Sequence, residues 1–184
     1  MYSLPKQLKK SKALSDEGFI FFYRYVNIKG GLIQEVISMK VALASDHGGV
    51  NIRKEIANLM DILGIEYQDF GCECDGSVDY PDYALPVAQK VASGEFDRGI
   101  LICGTGIGMS IAANKVKGIR CALVHDTFSA KATRAHNDTN ILTMGERVIG
   151  PGLARDIAQI WLTEEFEGGR HATRVGKISE YENK

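Results

Sequence analysis

Residues 99–116 read Gly99-Ile100-Leu101-Ile102-Cys103-Gly104-Thr105-Gly106-Ile107-Gly108-Met109-Ser110-Ile111-Ala112-Ala113-Asn114-Lys115-Val116. The first five are apolar with no polar alternation, which suits a strand buried on both faces. Gly108–Val116 predicts a helix. Between the two, Gly104, Gly106 and Gly108 free the backbone to turn sharply and to approach a ligand closely. Buried strand, glycine turn and helix together form the unit of a parallel sheet covered by helices.

The same unit recurs outward from this stretch. Lys40–Ser45 is an apolar strand, and Val50–Leu63 sets Ile52, Ile56, Leu59 and Leu63 at helical spacing before Gly64 ends it. Ile65–Phe70 is a second strand. Asp79-Tyr80-Pro81 opens a helix running to about Ser93, with proline in its first turn. Ile119–Val124 is a fourth strand, after the third at Gly99–Cys103. Asp126–Ala135 is a helix with Asp126 placed to cap it. Asn140–Met144 is a fifth strand, Pro151–Leu162 a long helix, and Thr173–Glu182 a last one. The fold class is α/β: a three-layer α/β/α, Rossmann-like fold with a five-stranded parallel sheet. Ligands of such folds bind beyond the carboxyl ends of the strands.

Composition narrows the class. The 184 residues are 45% hydrophobic and 24% charged, as in globular domains. A net charge of -1 argues against a nucleic-acid partner. No apolar run approaches the ~18 residues a membrane helix needs. Cysteines stand at 72, 74, 103 and 121, and Cys72-x-Cys74 suits neither a zinc knuckle nor a redox pair. A reduced, cytoplasmic protein is the simplest expectation.

The chain divides near residue 39. Residues 1–38 hold six Lys and Arg against three acids, a local +3, which leaves -4 for residues 39–184. Phe19–Val26 has neither helical nor strand periodicity. A signal peptide fits less well than a blander reading, since Arg24 interrupts the apolar segment and no small-x-small site follows. Gln34-Glu35-Val36 can be encoded by CAG-GAG-GTN, whose AGGAGG resembles the purine run that precedes bacterial start codons. Residues 1–38 are therefore expected to be a non-native or disordered leader, with Met39 the true start and 39–184 the functional domain.

Reactive residues gather where strands end: Ser45-Asp46-His47-Gly48-Gly49, Cys103 to Gly108, His125-Asp126, and Gly145-Glu146-Arg147. The N–H groups of the glycine turn, at a helix N-terminus, make an anion-binding nest. The G-x-G-x-G spacing is one residue short of the dinucleotide fingerprint and lacks its acid, and no P-loop lysine follows. Neither a nicotinamide nor a nucleotide cofactor is expected. Cys103 stands against the nest, and a helix N-terminus stabilises a thiolate; a buried core cysteine is the equal alternative. Arg170 and Arg174 fall one turn apart if that segment is helical, which suits a phosphate dianion. A solvated basic face is the plainer reading of such a pair.

Five motifs carry a resemblance. Ser45–Gly49, Asp79–Ala84, Ile102–Lys115, His136–Asn140 and Glu167–His171 resemble, in order, the ribose-5-phosphate isomerase B family, which includes the galactose-6-phosphate isomerase subunits. The match runs from Met39 to about Lys177. It implies an aldose–ketose isomerase of carbohydrate metabolism, in the pentose phosphate pathway, with no cofactor and no metal. It also implies a homodimer or dimer of dimers, with each active site at a subunit interface. In the family's terms, Cys103 is the base that moves a proton between C1 and C2. Gly104, Gly106 and Gly108 hold the oxyanion, and Thr105 assists proton traffic. His136 of a neighbouring subunit opens the furanose ring, with Asp46 nearby. His47, Arg147, Arg170 and Arg174 bind the phosphate, and Tyr80 and Asn137 line the sugar. A branch of the family uses Glu as base where this chain has Met109, so the chain falls in the cysteine branch.

Ribose 5-phosphate and ribulose 5-phosphate are the expected pair. A hexose 6-phosphate, allose or galactose, is the runner-up within the same chemistry. A non-catalytic sugar-phosphate-binding module is a further alternative, although binding alone needs none of Cys103, Thr105 and His136.

Overall fold

The structure, a computed structural model, describes residues 10–14, 20–28, 31–36, 39–73 and 76–184. Strands β1 (Lys10–Leu14), β2 (Ile20–Ile28) and β3 (Gly31–Val36) form an antiparallel sheet in that order. Lys10 pairs with Arg24, and Tyr25 with Gln34. Periodicity alone predicts no element here, so these strands correct that part of the sequence reading. Ile20–Ile28 is rich in aromatic and β-branched residues, which favour a strand without strict alternation. The rest of residues 1–38 lies outside the described residues.

From residue 40 strand and helix alternate: β4 (Lys40–Ser45), α1 (Val50–Leu63), β5 (Glu66–Asp69), α2 (Pro81–Ala92), β6 (Arg98–Cys103), α3 (Ile107–Ala113), β7 (Cys121–Leu123), α4 (Thr127–Asn137), β8 (Ile141–Gly145), α5 (Pro151–Thr163) and α6 (Arg170–Glu182). The five strands are parallel in the order β5-β4-β6-β8-β7, as the expected fold requires.

Successive strand residues point to opposite faces. Val41, Leu43, Ile100, Ile102, Leu142 and Met144 meet α1 and α5 through Ile52, Ile56, Ile157 and Trp161. Ala42, Ala44, Leu101 and Cys103 meet α2 and α3 through Val87, Val91, Met109 and Ala113. Small alanines on the second face let those helices lie close to the sheet. Each fully buried leucine or isoleucine contributes about 1.5–3 kcal/mol, so the two faces hold the strand ends rigidly. Trp161, wholly buried, donates its Nε1–H to Thr139 Oγ1 at 2.8 Å. The sheet's edges are polar or short: Glu66, Gln68 and Asp69 of β5 are exposed, and β7 has three residues. Among the described residues, no helix is long and apolar enough to cross a membrane.

Several boundaries shift by one to three residues from expectation, and three of the shifts have a local cause. The fourth strand is confined to Cys121–Leu123, because Arg120 N–H bonds the Asn140 side chain instead of continuing a regular ladder. Helix α3 stops at Ala113, where the Asn114 amide turns back to the Ser110 and Cys121 carbonyls. Helix α6 starts at Arg170 rather than Thr173, because Gly168 and Gly169 adopt positive φ and the Gly168 carbonyl accepts from His171 N–H.

Candidate active site

In register, Ser45 pairs with Ile102 and Cys103 with Gly145, so the carboxyl ends of β4, β6 and β8 lie side by side. Cys103 is the last residue of β6 and is 6% exposed. Its Sγ accepts the Gly106 N–H at 3.0 Å. Gly106 has φ 78, and a Cβ there would stand 2.5 Å from Leu123 Cδ1 and 2.9 Å from the Met144 carbonyl carbon. Only glycine fits that turn, and the turn aims an amide at the sulfur.

The neighbouring loops lock onto this turn. Glu146 N–H donates to the Cys103 carbonyl at 2.9 Å, and Arg147 N–H to the Gly104 carbonyl at 3.0 Å. The Arg147 side chain therefore lies against Gly104, its Nε 3.3 Å from where a Cβ would sit. The Tyr80 ring occupies the space that a side chain at Gly108 would fill. Thr105 is exposed beside them, its Oγ1 accepting from Ile107 N–H at 3.4 Å. Asp46, buried, accepts the Gly48 N–H at 2.7 Å. His47 Nδ1 accepts from Val78 N–H at 3.2 Å. That contact occupies Nδ1 and leaves Nε2 as the ring nitrogen turned to other partners.

Glu146 is a positioning residue that sequence reasoning missed. Helix α1 has no side-chain cap at Gly49. Glu146 supplies one from 94 residues away, accepting Ile52 N–H at 2.9 Å and the Asn51 amide at 2.7 Å. It ties the Asp46–Gly49 loop to the end of β8. Asp126 caps α4 as expected, accepting Ser129 N–H at 2.7 Å, and this bond holds its carboxyl below the usual range. Burial pushes the Cys121 thiol up to about 12, which makes it inert.

The remaining expected residues are elsewhere. His136 and Asn137 end α4, and Arg170 and Arg174 begin α6, one turn apart. Glu167 N–H donates to the Ala135 carbonyl and joins the two segments. The His136 and His171 rings stack at 4.3 Å with planes 6° apart. Glu167 Oε2 lies 3.6 Å from His171 Nε2 and 4.0 Å from His136 Nε2. Arg170 Nε approaches His171 Nε2 at 3.4 Å. Burial, then the cationic neighbourhood of His136 and Arg170, holds His171 below the usual histidine value.

This group sits towards the amino ends of the strands, whereas Cys103 lies at a carboxyl end. Asn140, three residues after Asn137, bonds through its carbonyl to Gly99 N–H at the amino end of β6. Cys103 is four residues further along, roughly 13 Å at strand rise. Within one chain, then, Asp46, His47, Tyr80, Cys103, Thr105, Gly104, Gly106, Gly108 and Arg147 come together, and His136, Asn137, Arg170 and Arg174 form a second group.

A thiol facing a backbone amide, with an arginine and a histidine in the adjoining loops, equips an enzyme to move a proton on an anionic, oxygen-rich substrate. Comparison with known proteins gives that class its chemistry: the protein is a sugar phosphate isomerase. The chain belongs to the family described as Ribose/Galactose Isomerase, whose profile matches residues 41–178. It is 81% identical over 147 residues to "Putative sugar phosphate isomerase YwlF" of Bacillus subtilis, covering 79% of this chain and 99% of that protein. Ribose-5-phosphate isomerase B of Escherichia coli is 47% identical over 145 residues, 79% of this chain and 97% of that one. The solved ribose-5-phosphate isomerase B of Clostridium thermocellum matches with a TM-score of 0.77 at 58% identity, over 79% of this chain and 98% of that one. The Mycoplasma genitalium ribose-5-phosphate isomerase B, solved with bound ribulose-5-phosphate, matches with a TM-score of 0.76 at 39% identity, over 79% and 97%.

Proposed function

We propose that this enzyme interconverts ribose 5-phosphate and ribulose 5-phosphate, with Cys103 as the base. The observation that carries the reading is the Gly106 N–H on Cys103 Sγ at 3.0 Å, within the glycine turn that opens α3. The thiolate takes the C2 proton of the open-chain aldose, and that electron pair forms a C1–C2 double bond. The C1 oxygen becomes an oxyanion, which the amides stabilise. Thr105 carries the proton from O2 to O1. The C2 carbonyl then forms as the thiol returns its proton to C1. One hydrogen has moved from C2 to C1, and nothing is oxidised overall.

His136 opens the furanose ring from a second copy of the chain, with Asp46 near the sugar and Asn137 and Tyr80 lining it. His47, Arg147, Arg170 and Arg174 hold the phosphate. What supports a homodimer, or a dimer of dimers, is the separation of the two groups by a strand's length within one chain. The substrate assignment rests on the similar proteins, three of them named for ribose 5-phosphate. Turnover of ribose 5-phosphate against allose and galactose 6-phosphates, with and without chelator, tests it. Ribose 5-phosphate is expected to be preferred, with no loss in chelator; preference for a hexose phosphate overturns the assignment. We infer a cytoplasmic enzyme of the pentose phosphate pathway whose catalytic unit is residues 39–184. A chain beginning at Met39 is expected to fold and turn over as the full chain does.

A further inference from the structure

We propose that His136, Glu167 and His171 form a binding site for one divalent transition-metal ion of the zinc class. Each offers a ligand atom, and the three atoms lie within 4.8 Å of one another. Tetrahedral zinc with bonds of about 2.0–2.1 Å sets its ligands about 3.4 Å apart. The separations of 3.6 and 4.0 Å from Glu167 Oε2 to the two Nε2 atoms are already near that value. Two imidazoles and one carboxylate are a donor set that suits zinc and leaves a fourth position for water or an anion. The set is largely prearranged. His171 is 6% exposed in the first turn of α6, and Glu167 is fixed to the end of α4 through its own N–H.

Two features say what must move. A metal lies in the plane of each imidazole it binds. The His136 and His171 rings are parallel and stacked at 4.3 Å, so no point lies in both planes. His136, with its side chain 43% exposed on the last turn of α4, is free to tilt towards the ion. Arg170 Nε, 3.4 Å from His171 Nε2, must swing aside, and it is exposed. Ion binding therefore opens the histidine stack and displaces a guanidinium. Resting on the role proposed for His136, the bound ion also inhibits turnover, because it holds the lone pair that would serve the sugar.

Calorimetric titration of the metal-free full chain with Zn²⁺, and with Co²⁺ for its visible bands, tests the site. One ion per chain is expected. Glu167→Gln, an exposed change, and His171→Ala should each weaken binding by about tenfold or more, the scale of even an outer-shell loss. Cys103→Ser should bind as the wild type does. Ring-proton resonances of His136 and His171 should shift as the stack opens. Unchanged affinity in Glu167→Gln, or lost binding in Cys103→Ser, overturns the proposal, the latter by placing the ion on the thiol. Wild-type turnover should fall with Zn²⁺ and return with chelator. Zinc held by this trio without loss of turnover keeps the site and overturns the role given to His136.

Discussion

The Gly106 N–H points at the Cys103 sulfur from 3.0 Å, inside the turn that separates β6 from α3. Strand, turn and helix are thus arranged around one atom, and the first prediction concerns it. Cys103→Ser keeps the shape, but a serine hydroxyl ionises far above neutral pH. Positioned acid–base catalysis contributes typically about 10²–10⁴-fold. Steady-state kinetics should show a kcat loss at least that large with KM little changed. Near-full turnover would make Cys103 a packing residue.

Gly106→Ala tests the turn itself. The backbone there has φ 78, and a methyl group meets Leu123 and the Met144 backbone. A non-glycine residue held in such a region costs about 1–3 kcal/mol. Urea unfolding should show that loss, and kcat should fall as the amide leaves the sulfur. Unchanged stability would mean that the turn relaxes freely.

Arg174→Ala should raise KM by about 10–100-fold, since a hydrogen bond to a charged group contributes roughly 1.5–3 kcal/mol. The shared site makes a separate demand. Cys103→Ser and His136→Ala chains, each nearly inactive, should regain activity when mixed and allowed to exchange. Half of the sites in each mixed pair then carry neither change. Proven exchange without recovery would place both residues in one chain's site.

Acid should weaken the α4 cap. The Ser129 hydrogen bonds hold the Asp126 carboxyl below its ordinary range. Its stabilising effect is therefore complete above the unfolded value of about 3.9 and is lost as pH falls through the lower folded value. Asp126→Asn keeps a capping oxygen but cannot titrate. The urea midpoint of the wild type should exceed that of the variant at pH 7, and the gap should close as the pH is taken down through the lowered folded value. A gap unchanged by pH would show that the carboxylate charge contributes nothing.

The parallel core was legible because Val41–Ala44 and Ile100–Ile102 are apolar on both faces, which one sheet type explains. The thiol and its glycine turn were legible because they are contiguous. What escaped the sequence depends on tertiary adjacency. Glu146 caps a helix 94 residues away, and no local pattern announces that bond. Glu167 and His171 stand in a recognisable motif, yet their meeting with His136 needs the end of α4 beside the start of α6. Strand β2 escaped for the opposite reason: its aromatic run favours a strand but has no period to read.

The two edges of the parallel sheet govern how the protein behaves when concentrated. Unpaired strand edges invite other chains to add to them. On one side β5 presents Glu66, Gln68 and Asp69, with Lys40 Nζ 3.6 Å from Glu66, so an incoming strand would have to strip water from several charges. On the other side β7 offers three residues, too few to fix a register. The parallel sheet is self-terminating at both ends, which guards against fibrous growth without the closure that a barrel would require.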